Sequence, residues 1–170
     1  MDFLLRSGRH SRQFFQSAQV LQHPRIAERL CGALADRFRD AGASLVISPA
    51  MGGLFVGHEV ARQLDLRHVF VEKNSNGDLE LRRNFQIGDG EPVLVVEDVI
   101  TRGGRVQETI DIVRAQGGNL VGVGVLVDRS GGQADFGVRL ESLVLLEVET
   151  FAAADCPLCR TGDQPVKPGS

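Results

Sequence analysis

Residues 93 to 106, Val-Leu-Val-Val-Glu-Asp-Val-Ile-Thr-Arg-Gly-Gly-Arg-Val, constrain the fold more than any other stretch of the chain. The four apolar residues Val93 to Val96 form the kind of run that is buried on both faces as a parallel-sheet strand. Glu97 and Asp98 arrive where such a strand should end, followed by Val99, Ile100 and the loop Thr101-Arg102-Gly103-Gly104-Arg105. Val106, Ile110 and Val113 then recur at i, i+4 and i+7, which predicts a helix with one apolar stripe. The predicted order is strand, acids, glycine loop, helix.

That order carries chemistry. Glycines let successive backbone N–H groups turn in on a small anion, and a helix N-terminus adds free donors and partial positive charge. A phosphate monoester fits this cradle, with the Thr101 hydroxyl and the Arg105 guanidinium as further donors. Two carboxylates beside an anion need a reason, because like charges repel; vicinal sugar hydroxyls, or water on Mg²⁺, supply one. A cradle for a 5'-phosphate with acids for ribose hydroxyls describes a phosphoribosyl group. The alternative, an ordinary βα turn, accommodates Gly103-Gly104 but leaves the consecutive acids unexplained. The stretch closely resembles the phosphoribosyl pyrophosphate (PRPP) signature of the type I phosphoribosyltransferases. The resemblance implies PRPP contacts from Glu97, Asp98, Val99, Ile100, Thr101, Arg102, Gly103, Gly104 and Arg105. It implies Mg²⁺ carried by PRPP near Glu97 and Asp98, with no metal held directly by the chain.

A length of 170 residues suits one domain with a proper core, and 42% hydrophobic with 24% charged residues is ordinary for a globular protein. The formal net charge of −3 implies no broad basic surface, and with no Trp and no Tyr the usual stacking platforms for single strands are missing, so no nucleic-acid partner is expected. No apolar run reaches membrane-spanning length and no signal-peptide core is evident, so the expectation is a cytoplasmic protein without a membrane partner. Three cysteines in a reducing compartment argue against a disulfide framework.

From the N-terminus, Leu4 to Ser11 is a basic polar stretch followed by Phe14-Phe15. It reads as a solvated edge of a small lobe or as an anion site. It also resembles the N-terminal hood of the orotate phosphoribosyltransferases, whose pattern runs L-K-S-G-R-x-S-x-x-F-F. Arg6 stands where that pattern has lysine, keeping the charge with a different donor geometry. The resemblance implies that Arg6 touches PRPP and that Phe14 and Phe15 line the pyrimidine pocket; hood core is the other reading of the two phenylalanines. Ile26, Leu30, Leu34 and Phe38 recur every four residues and predict an amphipathic helix over 26–38, with Pro24 in its first turn and Cys31 as a small buried apolar residue. Leu45 to Ile47 predicts a strand, then the loop Ser48 to Gly53 and a helix over 54–64. In the resembled family this loop binds pyrophosphate; many members have Tyr-Lys where this chain has Met51 and Gly52, which leaves backbone donors only.

His68 to Val71 predicts a third strand, and Glu72 to Asp78 a polar hairpin-like loop returning through Leu79, Leu81, Arg82 and Arg83. Phosphoribosyl transfer passes through an oxocarbenium-like state with a strongly anionic leaving group, so a mobile basic loop is chemically expected. The segment resembles the family's catalytic loop, which implies catalytic roles for Lys73, Arg82 and Arg83, with Lys73 also on PRPP; a solvated face is the other reading of the Arg82-Arg83 pair. Asp78 stands near a point where related loops carry a basic residue. Leu120 to Val127 alternates Val and Gly, letting a helix or ligand approach closely. It ends in Asp128-Arg129; the resemblance assigns orotate to Arg129 and Thr101, and a local ion pair is the alternative for Arg129. Leu143 to Val148 predicts the last strand. Cys156 and Cys159 form one C-x-x-C, two thiolates where structural zinc takes four ligands, with no second pair or neighbouring His in the sequence; zinc is expected only if two chains share it.

The expected fold is α/β, a parallel twisted sheet flanked by helices, forming one phosphoribosyltransferase domain over 1–170 with a small hood at about 1–22 and a tail at about 151–170. The resemblance implies an orotate phosphoribosyltransferase using PRPP, orotate and Mg²⁺, and a homodimer. The rivals are a purine or uracil salvage phosphoribosyltransferase, which would lack a carboxylate-binding Arg, and a PRPP-sensing regulator.

Overall fold

The computed structural model describes residues 2–5, 7–161 and 165–168. The chain divides into two compact units: Ser17–Leu146, and a smaller one assembled from both chain ends, Met1–Gln16 with Glu147–Ser170.

In the smaller unit β1 (Phe3–Leu4) and β2 (His10–Ser11) pair antiparallel, Phe3 opposite Ser11 and Leu4 opposite His10. The tail adds itself to both. Val166 exchanges backbone bonds with Asp2 (2.8 Å) and Leu4 (3.0 Å), and Phe151 exchanges two with His10 (2.8 and 2.9 Å). Arg9 grips Thr150 through Nε to the hydroxyl and Nη2 to the carbonyl, both at 2.8 Å. Among the described residues of this unit only Cys156 and Leu158 are buried apolar side chains.

The larger unit begins with α1 (Ser17–Leu21) and α2 (Pro24–Asp36). Its sheet follows: β3 (Leu45–Pro49), α3 (Gly52–Leu64), β4 (Arg67–Lys73), β5 (Leu79–Leu81), β6 (Pro92–Ile100), α4 (Gly104–Ala115), β7 (Asn119–Asp128) and β8 (Leu140–Leu145). The strand order is β5-β4-β3-β6-β7-β8, parallel except at β4–β5. Alternate residues of β3 serve opposite faces: Leu45 and Ile47 join the core that includes Val106, Ile110 and Val113 of α4, whereas Ser48 meets Gly57 of α3. Burying these β-branched strands on both faces is what a parallel sheet requires.

Several boundaries differ from expectation. The helix α2 stops at Asp36, and Ile26 at its start is 44% exposed; the stripe is buried only from Cys31 and Leu34 onward, with Phe38 buried on the following turn. Gly122 and Gly124 of β7 seat that ring, since a Cβ on either would lie 2.8 or 2.9 Å from Phe38. The Val-Gly alternation thus admits a side chain. β6 does not end at Val96: it runs through the acids to Ile100, because β7 keeps pairing with it, Glu97 opposite Val125 and Ile100 opposite Asp128. The last strand is β8 at 140–145, not 143–148; its register follows β7, and the residues beyond belong to the smaller unit, where the Glu149 carbonyl accepts from Ser11 Oγ. Among the described residues no helix is long and apolar enough to cross a membrane.

Candidate active site

The connection from β3 runs outward to β4 on one side, and that from β6 runs to β7 on the other, so the strand order reverses between β3 and β6. Open α/β sheets bind ligands at the carboxyl ends of their strands at this point. Here the β3–α3 turn and the β6–α4 loop lie side by side. A cavity of about 290 Å³ opens at the second, lined by Glu97, Val99, Ile100, Thr101, Gly103, Gly104, Arg105, Val106 and Glu108.

Gly103 is the N-cap of α4 at φ +75°, a left-handed conformation that suits glycine, and no side chain caps the helix. With no side-chain cap, the first-turn N–H groups of α4 are open to an anion beside a cavity that Thr101 lines; Thr101 and its neighbour Arg102 are exposed. Arg105 Nη1 donates to Glu108 Oε2 at 2.9 Å. Its guanidinium is thus shared with an acid that sequence reasoning did not single out; the signal was present, an opposite charge three positions on along a helix. Arg102, Met51, Gly52 and Asp98 do not line this cavity.

The acids sit at different depths. Glu97 is 8% exposed, and burial, then its neighbour Asp98, push its carboxyl well above the usual range. Its Oε1 accepts the Asp98 N–H at 3.0 Å. Asp98 accepts the Val99 N–H at 2.8 Å and the Ser17 hydroxyl of α1. The β3–α3 turn is packed directly on these carboxylates: a Cβ on Gly52 would overlap the Asp98 carboxylate, and one on Gly53 would lie 2.9 Å from Glu97 Oε1. The role of Gly52 in the structure is thus close approach to Asp98, while Met51, preceded by a cis peptide bond, is 74% exposed.

Arg129, at the end of β7, has no ion pair among the described residues. Asp128 Oδ1 instead accepts the Ser130 N–H at 2.7 Å, so the alternative of a local Asp128–Arg129 pair is not formed. Arg129 is half-buried, its Nε lies buried with no hydrogen-bond partner among the described residues, and desolvation lowers its pKa. A cation in that condition is open to a carboxylate.

The basic hairpin is tighter than a long mobile lid. Asn74 N–H donates to Asp78 O at 2.9 Å, and Asn74 Oδ1 accepts from the N–H groups of Asn76 and Asp78 at 2.9 and 3.1 Å. Arg83, expected to be catalytic, is engaged within the sheet edge: it pairs with Glu72 at 3.1 Å and stacks 5.4 Å from the Phe70 ring centroid. Lys73 and Arg82 have no ion pair among the described residues. Within the smaller unit Phe14 packs on Phe3 with centroids 5.9 Å apart, and Phe15 is half-buried. Arg6 lies outside the described residues.

The family model described as phosphoribosyl transferase domain matches residues 16–136. Orotate phosphoribosyltransferase of Desulforamulus reducens is 55% identical over 99% of this chain and 87% of its own length. That of Pelotomaculum thermopropionicum is 56% identical over 99% of this chain and 88% of its own. The chain belongs to the orotate phosphoribosyltransferases. The crystal structure of the orotate phosphoribosyltransferase from Aeropyrum pernix matches with a TM-score of 0.70 at 30% identity, covering 85% of each chain. The glycine loop, the acids and Arg129 lie at the carboxyl-end edge of the sheet, where β6 and β7 finish. Ser17 and Glu108 were missed, the first because no local pattern links α1 to β6 across 81 residues.

Proposed function

We propose that the chain transfers the phosphoribosyl group of PRPP to orotate, giving orotidine 5'-monophosphate and pyrophosphate in pyrimidine biosynthesis, with the cavity at the start of α4 holding the 5'-phosphate. The observation that carries this assignment is the uncapped N-terminus of α4 opening on a cavity with Glu97 in its wall. Its backbone donors and Thr101 bind the phosphate, and Glu97 and Asp98 accept from the ribose hydroxyls. Arg129 takes the orotate carboxylate in a bidentate fork. The orotate ring nitrogen attacks C1 as the bond to pyrophosphate breaks, so positive charge develops on the ribose and negative charge on the leaving group. Lys73 and Arg82 stabilise the latter, and no covalent nucleophile is required.

The donors fit Mg²⁺: Glu97 and Asp98 offer hard oxygens, and a cation beside them offsets the burial and the Asp98 repulsion that push the Glu97 carboxyl above its usual range. Bound with PRPP, Mg²⁺ would neutralise pyrophosphate charge. The enzyme is cytoplasmic and acts as a homodimer in this reading. Met51 and Phe55, one helical turn apart and 74% and 63% exposed, give a dimer an apolar patch to cover. Phe55→Glu should then shift sedimentation from dimer to monomer, and an unchanged dimer refutes this surface.

Pyrophosphate release from PRPP, measured side by side with orotate, uracil and hypoxanthine, tests the substrate assignment. Release should depend on orotate. Faster release with uracil or hypoxanthine overturns it.

A further inference from the structure

Four metal-binding side chains outside the active site converge in the smaller unit. Asp2, His10, Cys156 and Cys159 each present a ligand atom, all within 4.8 Å of one another, and all but Cys159 are buried. Cys159 Sγ lies 3.5 Å from both His10 Nδ1 and Asp2 Oδ2, Cys156 Sγ lies 3.9 Å from Asp2 Oδ2, and His10 Nδ1 is 2.6 Å from Asp2 Oδ2. With metal–sulfur distances of about 2.3 Å and metal–nitrogen or metal–oxygen distances of about 2.0–2.1 Å, ligand atoms around a tetrahedral ion stand roughly 3.3–3.8 Å apart. The three sulfur separations above lie near such edges. Binding would open the His10–Asp2 hydrogen bond by about 0.7 Å and draw in the widest pair, which lies within 4.8 Å, by up to about 1 Å.

A second observation points to a ligand. Asp2 is fully buried, yet its Oδ1 has no hydrogen-bond partner among the described residues. An unpaired carboxylate oxygen in the interior is costly unless a cation completes it.

The architecture supplies a reason for a metal. A unit of roughly 40 residues is at the size where a core alone rarely suffices and a metal or disulfide is usual. This one buries only Cys156 and Leu158 as apolar side chains among its described residues. Two ligands come from the N-terminal stretch and two from the tail, so one ion would tie together segments about 150 residues apart in sequence. The C-x-x-C reads as half a site in the sequence, and the β1–β2 pairing with its tail bridges brings the other half.

We propose that Asp2, His10, Cys156 and Cys159 of a single chain form a structural zinc site that clamps the two chain ends. Two thiolates, one imidazole and one carboxylate suit zinc among the divalent ions, because its tetrahedral shell accepts sulfur, nitrogen and oxygen together. On binding, both thiols release their protons and the metal replaces them.

The test uses the full chain without an N-terminal tag, reduced, loaded with Zn²⁺ and desalted, with metal content measured by mass spectrometry. One zinc per chain is expected, and Co²⁺ in its place should give a thiolate charge-transfer band and the intense visible bands of a tetrahedral ion. Cys159→Ser, at the exposed ligand position, should weaken zinc at least tenfold against a chromogenic chelator. His10→Asn should do the same, while Cys31→Ser keeps wild-type affinity. Bound zinc should also slow alkylation of Cys156 and Cys159. One zinc per two chains, no retained zinc, or undiminished affinity in Cys159→Ser overturns the site.

Discussion

Replacing Arg129 by Ala should separate catalysis from stability. Among the described residues the guanidinium makes no ion pair and its buried Nε has no partner, so it is a desolvated donor that none of them accepts from. An unsatisfied buried donor costs about 1–3 kcal/mol, and truncation removes that cost together with some packing of the aliphatic stem, which acts the other way. The two nearly cancel, so Tm should move by no more than about 3 °C. Substrate binding is different. Stripping one partner from a buried charged pair costs about 2–5 kcal/mol, and because Arg129 is half-buried the lower part applies, about 2–3.5 kcal/mol. That is roughly a 30- to 400-fold loss in kcat/KM for orotate. Steady-state kinetics varying each substrate in turn, with a thermal melt of the same preparation, gives all three numbers. The loss for orotate should exceed that for PRPP at least tenfold. Equal losses for the two substrates, accompanied by a large fall in Tm, would show that Arg129 supports the fold rather than the substrate.

Gly103→Ala places a Cβ at φ +75° and 2.8 Å from Phe136 Cζ, so a destabilisation of about 2–4 kcal/mol and a raised KM for PRPP are expected; an unchanged Tm refutes the strain. Glu97→Gln tests the buried carboxyl. The unfolded chain ionises it above roughly pH 4.3 while the folded chain holds the proton, so its contribution to stability is present at acid pH and is lost as pH rises through its raised folded pKa. The Gln variant should therefore melt higher than wild type at pH 7 and equally near pH 4, with kcat/KM for PRPP down about ten- to a hundredfold; no gain at pH 7 contradicts the burial argument. In the hairpin, Lys73→Ala and Arg82→Ala should lower kcat more than they raise KM, whereas Arg83→Ala, losing an exposed pair with Glu72, should cost under about 1 kcal/mol of stability and little kcat. Asp78→Lys should keep or raise kcat, since the turn uses only the Asp78 backbone; if it abolishes turnover while Lys73→Ala and Arg82→Ala leave kcat unchanged, the hairpin has no catalytic role.

What the amino-acid sequence determines on its own is whatever lies within one local period. The run from Val93, the glycine pair and the stripe of Val106, Ile110 and Val113 specify strand, loop and helix because each depends on neighbours a few residues away. Family membership was legible for the same reason, since the phosphate cradle is built from consecutive residues. Side-chain partners were not. Arg105 reads as a phosphate ligand with nothing to show that α4 also sets it on Glu108, and Arg83 reads as catalytic or as a solvated face with nothing to show that the hairpin lays it on Glu72 and Phe70. The Gly52 position reads as a missing lysine until the turn is seen pressed against Asp98. Strand ends were also decided from outside: β6 extends through its own acids because β7 offers matching backbone groups, and β8 takes its register from the same neighbour. The C-x-x-C of the tail shows the limit most plainly. Its partners, Asp2 and His10, lie about 150 residues away, and only the pairing of the two chain ends brings four ligand atoms within 4.8 Å, because side chains meet by packing in space and no spacing along the chain encodes that distance.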